Sequence, residues 1–201
     1  TGYGRFFTEA AVNEFGRKMQ DDLSDAVKWA IAQGLADPGK IAIAGGSYGG
    51  YAALCGMVFT PGLFCCGISI NGVSDLAAQV AHWPGQPPLY RKRAIDAWYT
   101  YAGHPWKQSD REDMKSRSPV FFADRVQNPV LIMYGSLDQQ VDPRQSRNMI
   151  DALKKANKKV VSKKLDTARH GMVWSHNMEK MFQEIELFLY KHLGGRCERG
   201  Q

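Results

Sequence analysis

A chain of 201 residues with net charge +6, 44% hydrophobic and 23% charged residues is long enough for one domain, residues 1–201, around a sizeable core. That composition excludes a disordered, fibrous or repeat protein. The densest positive patch is Lys154, Lys155, Lys158, Lys159, Lys163 and Lys164; no zinc finger, RNA-binding signature or aromatic–basic stripe accompanies it, so a solvated face without a nucleic-acid partner is expected.

The first residues, Thr1-Gly2-Tyr3-Gly4, read as the middle of a loop, which suggests a fragment whose targeting signal cannot be read. Over residues 21–33 the spacing of Leu23, Ala26, Val27, Ala30 and Ile31 predicts a helix, with Asp21 and Asp22 at its start and Gly34 and Asp37-Pro38-Gly39 ending it. Residues 40–44 read as a short buried strand, Gly45 to Gly50 as a glycine-rich turn, and residues 51–59 as a helix stopped by Pro61-Gly62. A second apolar strand is expected over 64–70. Residues 72–128, rich in Trp, Tyr and Pro, are less regular, with short helices such as one near 91–101. A third strand follows over 129–134, a helix over 143–156 with Pro143 in its first turn, a fourth strand over 160–165, and a terminal helix over 177–193. Met178, Met181, Phe182, Ile185, Phe188 and Leu189 share one face of that last helix. Strand and helix in alternation predict an α/β fold, a mainly parallel sheet covered on both faces. No stretch of about 18 uncharged apolar residues occurs, so no membrane span is expected. Cys55, Cys65, Cys66 and Cys197 form no C-x-x-C pair and read as buried free thiols. That favours a reducing compartment, with cytoplasmic and periplasmic locations both left open.

The strongest motif is Gly45-Gly46-Ser47-Tyr48-Gly49, a G-x-S-x-G sequence between a predicted strand and a predicted helix. A serine in such an elbow stands above the sheet as a nucleophile. Glycines at the flanking positions avoid collisions with neighbouring backbone, and the N–H of the next residue, Tyr48, points at a developing oxyanion. Phosphate-loop and dinucleotide patterns are absent, and no cofactor or metal is expected. Serine needs a base, and in this fold the order is Ser, then acid, then His. Of the five histidines, His82 and His104 come too early and His192 lies in the terminal helix. His170, in Ala168-Arg169-His170-Gly171 after the last strand, is the expected base, with His176 as runner-up. The acid should follow the third strand, where Tyr134-Gly135-Ser136-Leu137-Asp138 offers Asp138. Asp142 looks like a helix N-cap, Asp166 follows the last strand, and Asp75 after the second strand is a minor alternative.

The runs Lys18-Met19-Gln20-Asp21-Asp22 and Ile43-Ala44-Gly45-Gly46-Ser47-Tyr48-Gly49-Gly50-Tyr51 resemble the prolyl oligopeptidase family of serine peptidases. So do Ser116-Arg117-Ser118-Pro119, Asn128-Pro129-Val130-Leu131-Ile132, Gly135-Ser136-Leu137-Asp138-Gln139-Gln140-Val141 and His170-Gly171. The resemblance covers residues 2–193 and is nearest to the acylaminoacyl-peptidase and dipeptidyl-peptidase branch. It implies an α/β-hydrolase domain, truncated on its N-terminal side, that hydrolyses short peptides. It also implies Ser47, Asp138 and His170 as the triad and the Tyr48 N–H as one oxyanion donor. An N-terminal β-propeller, a second oxyanion donor and the first strands of the sheet are implied upstream of Thr1, and Tyr134 stands where the family more often has histidine. Leu76, Val80, Trp83, Tyr90, Trp98, Tyr99, Tyr101 and Trp106 are read as core or as an apolar specificity pocket. Arg91, Lys92 and Arg93 are read as a solvated face or a clamp for a peptide carboxylate. An esterase or thioesterase on the same scaffold, or an inactive fragment, are the competing readings.

Overall fold

The sequence alternates strand and helix, and so does the computed structural model, which describes residues 2–81, 88–171 and 175–197. In chain order the elements are α1 (Arg5–Glu9), α2 (Lys18–Ala32), β1 (Ala42–Gly46), α3 (Tyr48–Phe59), β2 (Cys66–Ile70), α4 (Leu76–Ala81), α5 (Pro88–Tyr101), α6 (Gln108–Ser116), a 3₁₀ segment (Pro119–Arg125), β3 (Val130–Gly135), α7 (Pro143–Lys155), β4 (Val160–Leu165) and α8 (Ser175–Leu193). The strands form a four-stranded sheet in the order β1-β2-β3-β4, every pair parallel.

Alternation along β3 builds the two layers. Val130 and Ile132 face a cluster with Leu54, Met57 and Val58 of α3 and Met149 and Leu153 of α7. Leu131 and Met133 face the other side, with Cys66, Ile68, Leu165 and the α8 residues Met181 and Phe188. A period of two on a strand and helical repeats on its covers are what a doubly covered parallel sheet requires, and each such buried side chain is worth about 1.5–3 kcal/mol. A third cluster, of Tyr51, Cys55, Val73, Leu76, Val80, Ala102, Met114 and Val141, joins α3 to the 72–128 region.

Several expectations change. The strand expected over 40–44 begins at Ala42, and it is half-exposed rather than buried because it is an edge strand of this sheet. The helix expected over 21–33 starts at Lys18. Its predicted apolar face is only partly covered: Leu23 is 41% exposed and Ala26 is exposed, Val27, Ala30 and Ile31 are half-buried, and Gln20 and Ser24 are the fully buried residues. α8 buries Met181 and Phe188, but Met178 and Phe182 are exposed, since α8 packs on β2 and β3 and those two side chains fall beyond that contact. The irregular region is largely helical, and α1, which buries no residue, had no periodic signal to announce it. Cys55, Cys66 and Cys197 are buried free thiols; Cys65 is only half-buried. Among the described residues no helix is long and apolar enough to cross a membrane. Lys154, Lys155, Lys159 and Lys164 are exposed, the first two in the last turn of α7, where positive charge suits the helix dipole.

Candidate active site

All four strands end on the same edge of the sheet, and three of those ends carry the residues that the sequence singles out. At the end of β1 the chain turns into α3 at one residue. Ser47 has φ 58° and ψ −119°, a left-handed conformation that a non-glycine residue adopts only when its surroundings enforce it. Two hydrogen bonds do so: the Ser47 N–H donates to the Ile70 carbonyl at 2.8 Å, and its own carbonyl accepts from the Tyr51 N–H at 3.1 Å. The helix therefore begins at Tyr48, not at residue 51.

The glycines of the motif divide their work differently from the expectation. A Cβ at Gly45 would lie 2.4 Å from the Gly49 carbonyl carbon, and one at Gly50 would lie 2.8 Å from Gly72 Cα, whereas at Gly49 nothing stands within 4 Å. Gly45 is required because the first turn of α3 folds back on it, and Gly50 because α3 crosses the chain leaving β2. Gly49 is the atom source of the first clash, not a site that needs to lack a side chain.

The loop after β4 brings His170 to this turn. His170 Nε2 is 2.9 Å from Ser47 Oγ, and Nδ1 is 2.7 Å from Asp138 Oδ2. Asp138 lies in the loop after β3, its side chain 1% exposed. Its other oxygen, Oδ1, accepts from the backbone N–H groups of Gln140 at 2.8 Å and Val141 at 3.0 Å. The carboxylate facing Nδ1 keeps the proton on that nitrogen and leaves Nε2 as the acceptor toward Ser47.

The competing acids are occupied elsewhere. The Asp142 side chain accepts from the Arg144 N–H and caps α7, as its position before Pro143 suggests. Asp75 accepts from the Ala78 N–H, and exposed Asp166 pairs with Lys164 at 2.7 Å. His192 packs edge-on against Phe188, and His104 packs on Tyr99. His176 falls within α8, where its side chain lies outside the described residues, as does the whole of His82.

Tyr48 offers its backbone, not its phenol. At the first position of α3 its N–H has no intrahelical acceptor and belongs to the positive end of the helix dipole. The ring packs on Phe15 (centroids 4.7 Å) and Tyr51 (5.6 Å), and the hydroxyl donates to Met19 Sδ at 3.6 Å. Burial, reinforced by the Cys55 thiol, holds that phenol well above the usual tyrosine range. Phe15 also meets Trp98 at 5.7 Å and Tyr101 at 6.1 Å, and Phe15, Tyr48 and Trp98 pack against the core cluster around Tyr51 and Cys55. Of the other positions read as core or pocket, Leu76 and Val80 are core and Trp106 is 69% exposed, while Trp83 lies outside the described residues, as do the side chains of Tyr90, Arg91 and Arg93. Lys92 is exposed and pairs with Asp96. Among the described residues no cluster of three or more His, Cys, Asp and Glu side chains could hold a metal ion.

Two residues of the site escaped the sequence reading. Gln145, on α7, accepts from the Ser74 and Asp75 N–H groups and donates to the Asp75 carbonyl, holding the chain that leaves β2. Asn71, at the end of β2, touches both the acid and the base loops. The signal for it was the Asn71-Gly72 pair directly after a strand, a turn signature.

A profile of the prolyl oligopeptidase family matches residues 1–196. The chain is 36% identical to Dipeptidyl peptidase family member 6 of Caenorhabditis elegans, covering 98% of this chain and 26% of that protein. It is 36% identical to Dipeptidyl aminopeptidase BIII of Pseudoxanthomonas mexicana, with 98% and 28% covered. It thus spans about a quarter of the length of these curated relatives. Among solved structures, a puromycin-hydrolyzing peptidase of Mycobacterium tuberculosis superposes with a TM-score of 0.89 at 26% identity, covering 98% of this chain and 29% of the other. The acylaminoacyl peptidase of Pyrococcus horikoshii, at 23% identity and TM-score 0.84 over 98% of this chain and 31% of its own, shares the fold. The α/β-hydrolase fold expected from the elbow is the fold observed.

Proposed function

Because this chain belongs to the prolyl oligopeptidase family, we propose that it is the catalytic part of a serine peptidase that cleaves short peptides through an acyl-enzyme. The observation that carries the reading is the unbroken hydrogen-bonded series from Ser47 Oγ through His170 to Asp138, with separations of 2.9 and 2.7 Å. Nucleophile within reach of base, and base oriented by a buried acid, is the arrangement that activates a serine hydroxyl.

In the proposed reaction His170 Nε2 takes the Ser47 proton as Oγ attacks the scissile carbonyl carbon. Negative charge moves to the carbonyl oxygen, where the Tyr48 N–H donates to it. The imidazolium then gives its proton to the leaving amine and the C–N bond breaks, leaving the acyl group on Ser47. Water attacks the ester with His170 again as base, the acid is released, and Ser47 recovers its proton. Asp138 stays ionised throughout and stabilises the imidazolium. Short peptides are the proposed substrates because the matched relatives are named as a dipeptidyl peptidase and a dipeptidyl aminopeptidase.

The test is covalent. A fluorophosphonate should label the full chain once, at Ser47, and Ser47→Ala should abolish labelling; labelling that persists in the variant removes the assignment. A dipeptidyl or aminoacyl chromogenic amide should be turned over by the same serine. Turnover of short acyl esters with none of the amides would make the protein an esterase on this scaffold instead.

A further inference from the structure

The side chain of Asn71 joins the strand end that leads to the acid and the residue that bears the base. Its Nδ2 donates to the backbone carbonyl of His170 at 3.1 Å, and its Oδ1 accepts from the Gly135 N–H at 2.9 Å. Gly135 is the last residue of β3, three positions before Asp138. Asn71 itself is fixed: its N–H donates to the Met133 carbonyl at 2.9 Å, and it is 3% exposed. It holds φ at 48°, a left-handed conformation that asparagine tolerates better than other side-bearing residues.

We propose that Asn71 is a positioning residue that sets the height of His170 over Ser47, by tying the base loop and the acid strand to the end of β2. The inference rests on the serine-peptidase reading above. The Ser47 N–H bonds to Ile70, the residue before Asn71, so the elbow, the base loop and the acid strand all refer their positions to one short stretch of β2. Without the amide, the His170 carbonyl loses a donor and the buried Gly135 N–H loses its acceptor. Other contacts between the loops, Leu137 N–H to the Ala168 carbonyl at 2.9 Å and Thr167 N–H to Ser136 Oγ at 3.0 Å, anchor the base loop two and three residues before His170; at His170 itself the Asn71 amide holds the backbone and the Asp138 carboxylate holds the ring. A displacement of about 1 Å in a reacting group costs on the order of 100-fold in rate.

Two variants separate positioning from folding. Asn71→Gly suits the left-handed backbone and deletes both side-chain bonds. Asn71→Asp keeps the shape and the acceptor for Gly135 but replaces the donor to His170 with a carboxylate. In the full chain, Asn71→Gly should lower kcat on an aminoacyl amide and the fluorophosphonate rate at Ser47 by tenfold or more, with KM within twofold. Asn71→Asp should also lose kcat and should move the acidic limb of the pH–rate profile to higher pH, because the new negative charge favours the imidazolium. A residue that only stabilised the fold would lower the melting temperature and leave both the pH profile and kcat of the folded fraction unchanged. Should Asn71→Gly fail to fold, the nearly isosteric Asn71→Asp carries the test. Wild-type protein labelled at Ser47 together with variants of unchanged kcat and pH profile overturns the inference alone. An unlabelled wild type overturns the peptidase reading and this inference with it.

Discussion

Replacing Asp138 by asparagine asks whether the acid works by charge and tautomer or merely by filling space, and the surroundings of the carboxylate set the answer. The new amide has two orientations. With its oxygen at the Oδ1 position it still accepts from the Gln140 and Val141 N–H groups, at 2.8 and 3.0 Å in the parent, and its NH₂ then faces His170 Nδ1. That nitrogen must become the acceptor, the ring proton moves to Nε2, and Nε2 can no longer take a proton from Ser47. The flipped orientation restores the working tautomer but sets an NH₂ against two N–H donors, one buried and one part-buried, at about 1–3 kcal/mol for each unsatisfied group. A total of about 2–6 kcal/mol, at about 1.36 kcal/mol per decade, leaves the working orientation populated between about one part in 30 and one in 25,000. Asparagine also cannot stabilise the imidazolium as a carboxylate does, which places the expected loss of kcat at about 10³-fold or more, in line with about 10⁴ for the same change in other triads. The assay is single-turnover hydrolysis of an aminoacyl amide, with the melting temperature checked to show that the near-isosteric variant is folded. A kcat within tenfold of wild type, or a larger loss from Asp142→Asn or Asp75→Asn, would refute the reasoning.

The base must be neutral to accept the Ser47 proton, so kcat should climb with pH on the acid side, and His170→Ala should remove nearly all turnover while His176→Ala is mild; a flat profile from pH 5 to 8 would contradict this. Gly45→Ala should destabilise by about 1–3 kcal/mol in urea, because its Cβ would sit 2.4 Å from Gly49 backbone, whereas Gly49→Ala should be neutral or slightly stabilising, since nothing lies within 4 Å there; equal effects would discard the elbow geometry. Burial pushes the thiols of Cys55 and Cys66 up to about 12 from an ordinary 9.0. Iodoacetamide at pH 8 should therefore spare both until the chain is unfolded. The unfolded thiols ionise first as pH rises, so the folded state loses stability between about pH 9 and 12, which urea midpoints measured across that window would report.

What the sequence made legible was whatever depends on local pattern. β4 was expected over 160–165 and occurs as Val160–Leu165, because its flanking turn residues and apolar start are local signals. Ser47, Asp138 and His170 could be singled out by a chain order tied to strand ends, with no packing detail needed, and the structure brings their side chains within 2.9 and 2.7 Å of one another. The failures share another cause. Leu23 and Phe182 sit in periodic apolar faces, yet a periodic face is buried only where something lies opposite it, and that is a fact about other segments. Gly49 was read as sterically constrained from the motif alone, whereas the structure assigns the constraint to Gly45 and Gly50, whose contacts come from Gly49 and from Gly72. Asn71 was missed for the same reason: its partners, Gly135 and His170, are separated from it by 64 and 99 positions.

The parallel ladder explains why so few residues suffice to hold the site. Gly46 pairs with Ile70, Ile70 with Met133, and Gly135 with Leu165, so β1 and β2 end level with each other while β3 and β4 end level with each other two residues further on. Ser47 and Asn71 follow directly on the first of these levels, and the loops of Asp138 and His170 leave the second. Their relative heights are thereby fixed by strand register, and a slip of one residue would turn every side chain of that strand to the opposite face. Loop bonds such as Leu137 to Ala168 and the Asn71 amide need only correct what register has already brought within reach. The central strands, β2 and β3, hold residues completely withdrawn from solvent, among them Ile68, Leu131, Ile132 and Met133 at 0% exposure. Parts of a structure buried that deeply open only with global unfolding, so the spacing of nucleophile, acid and base should survive local fluctuations of α1 and the other exposed segments and be lost only with the fold itself.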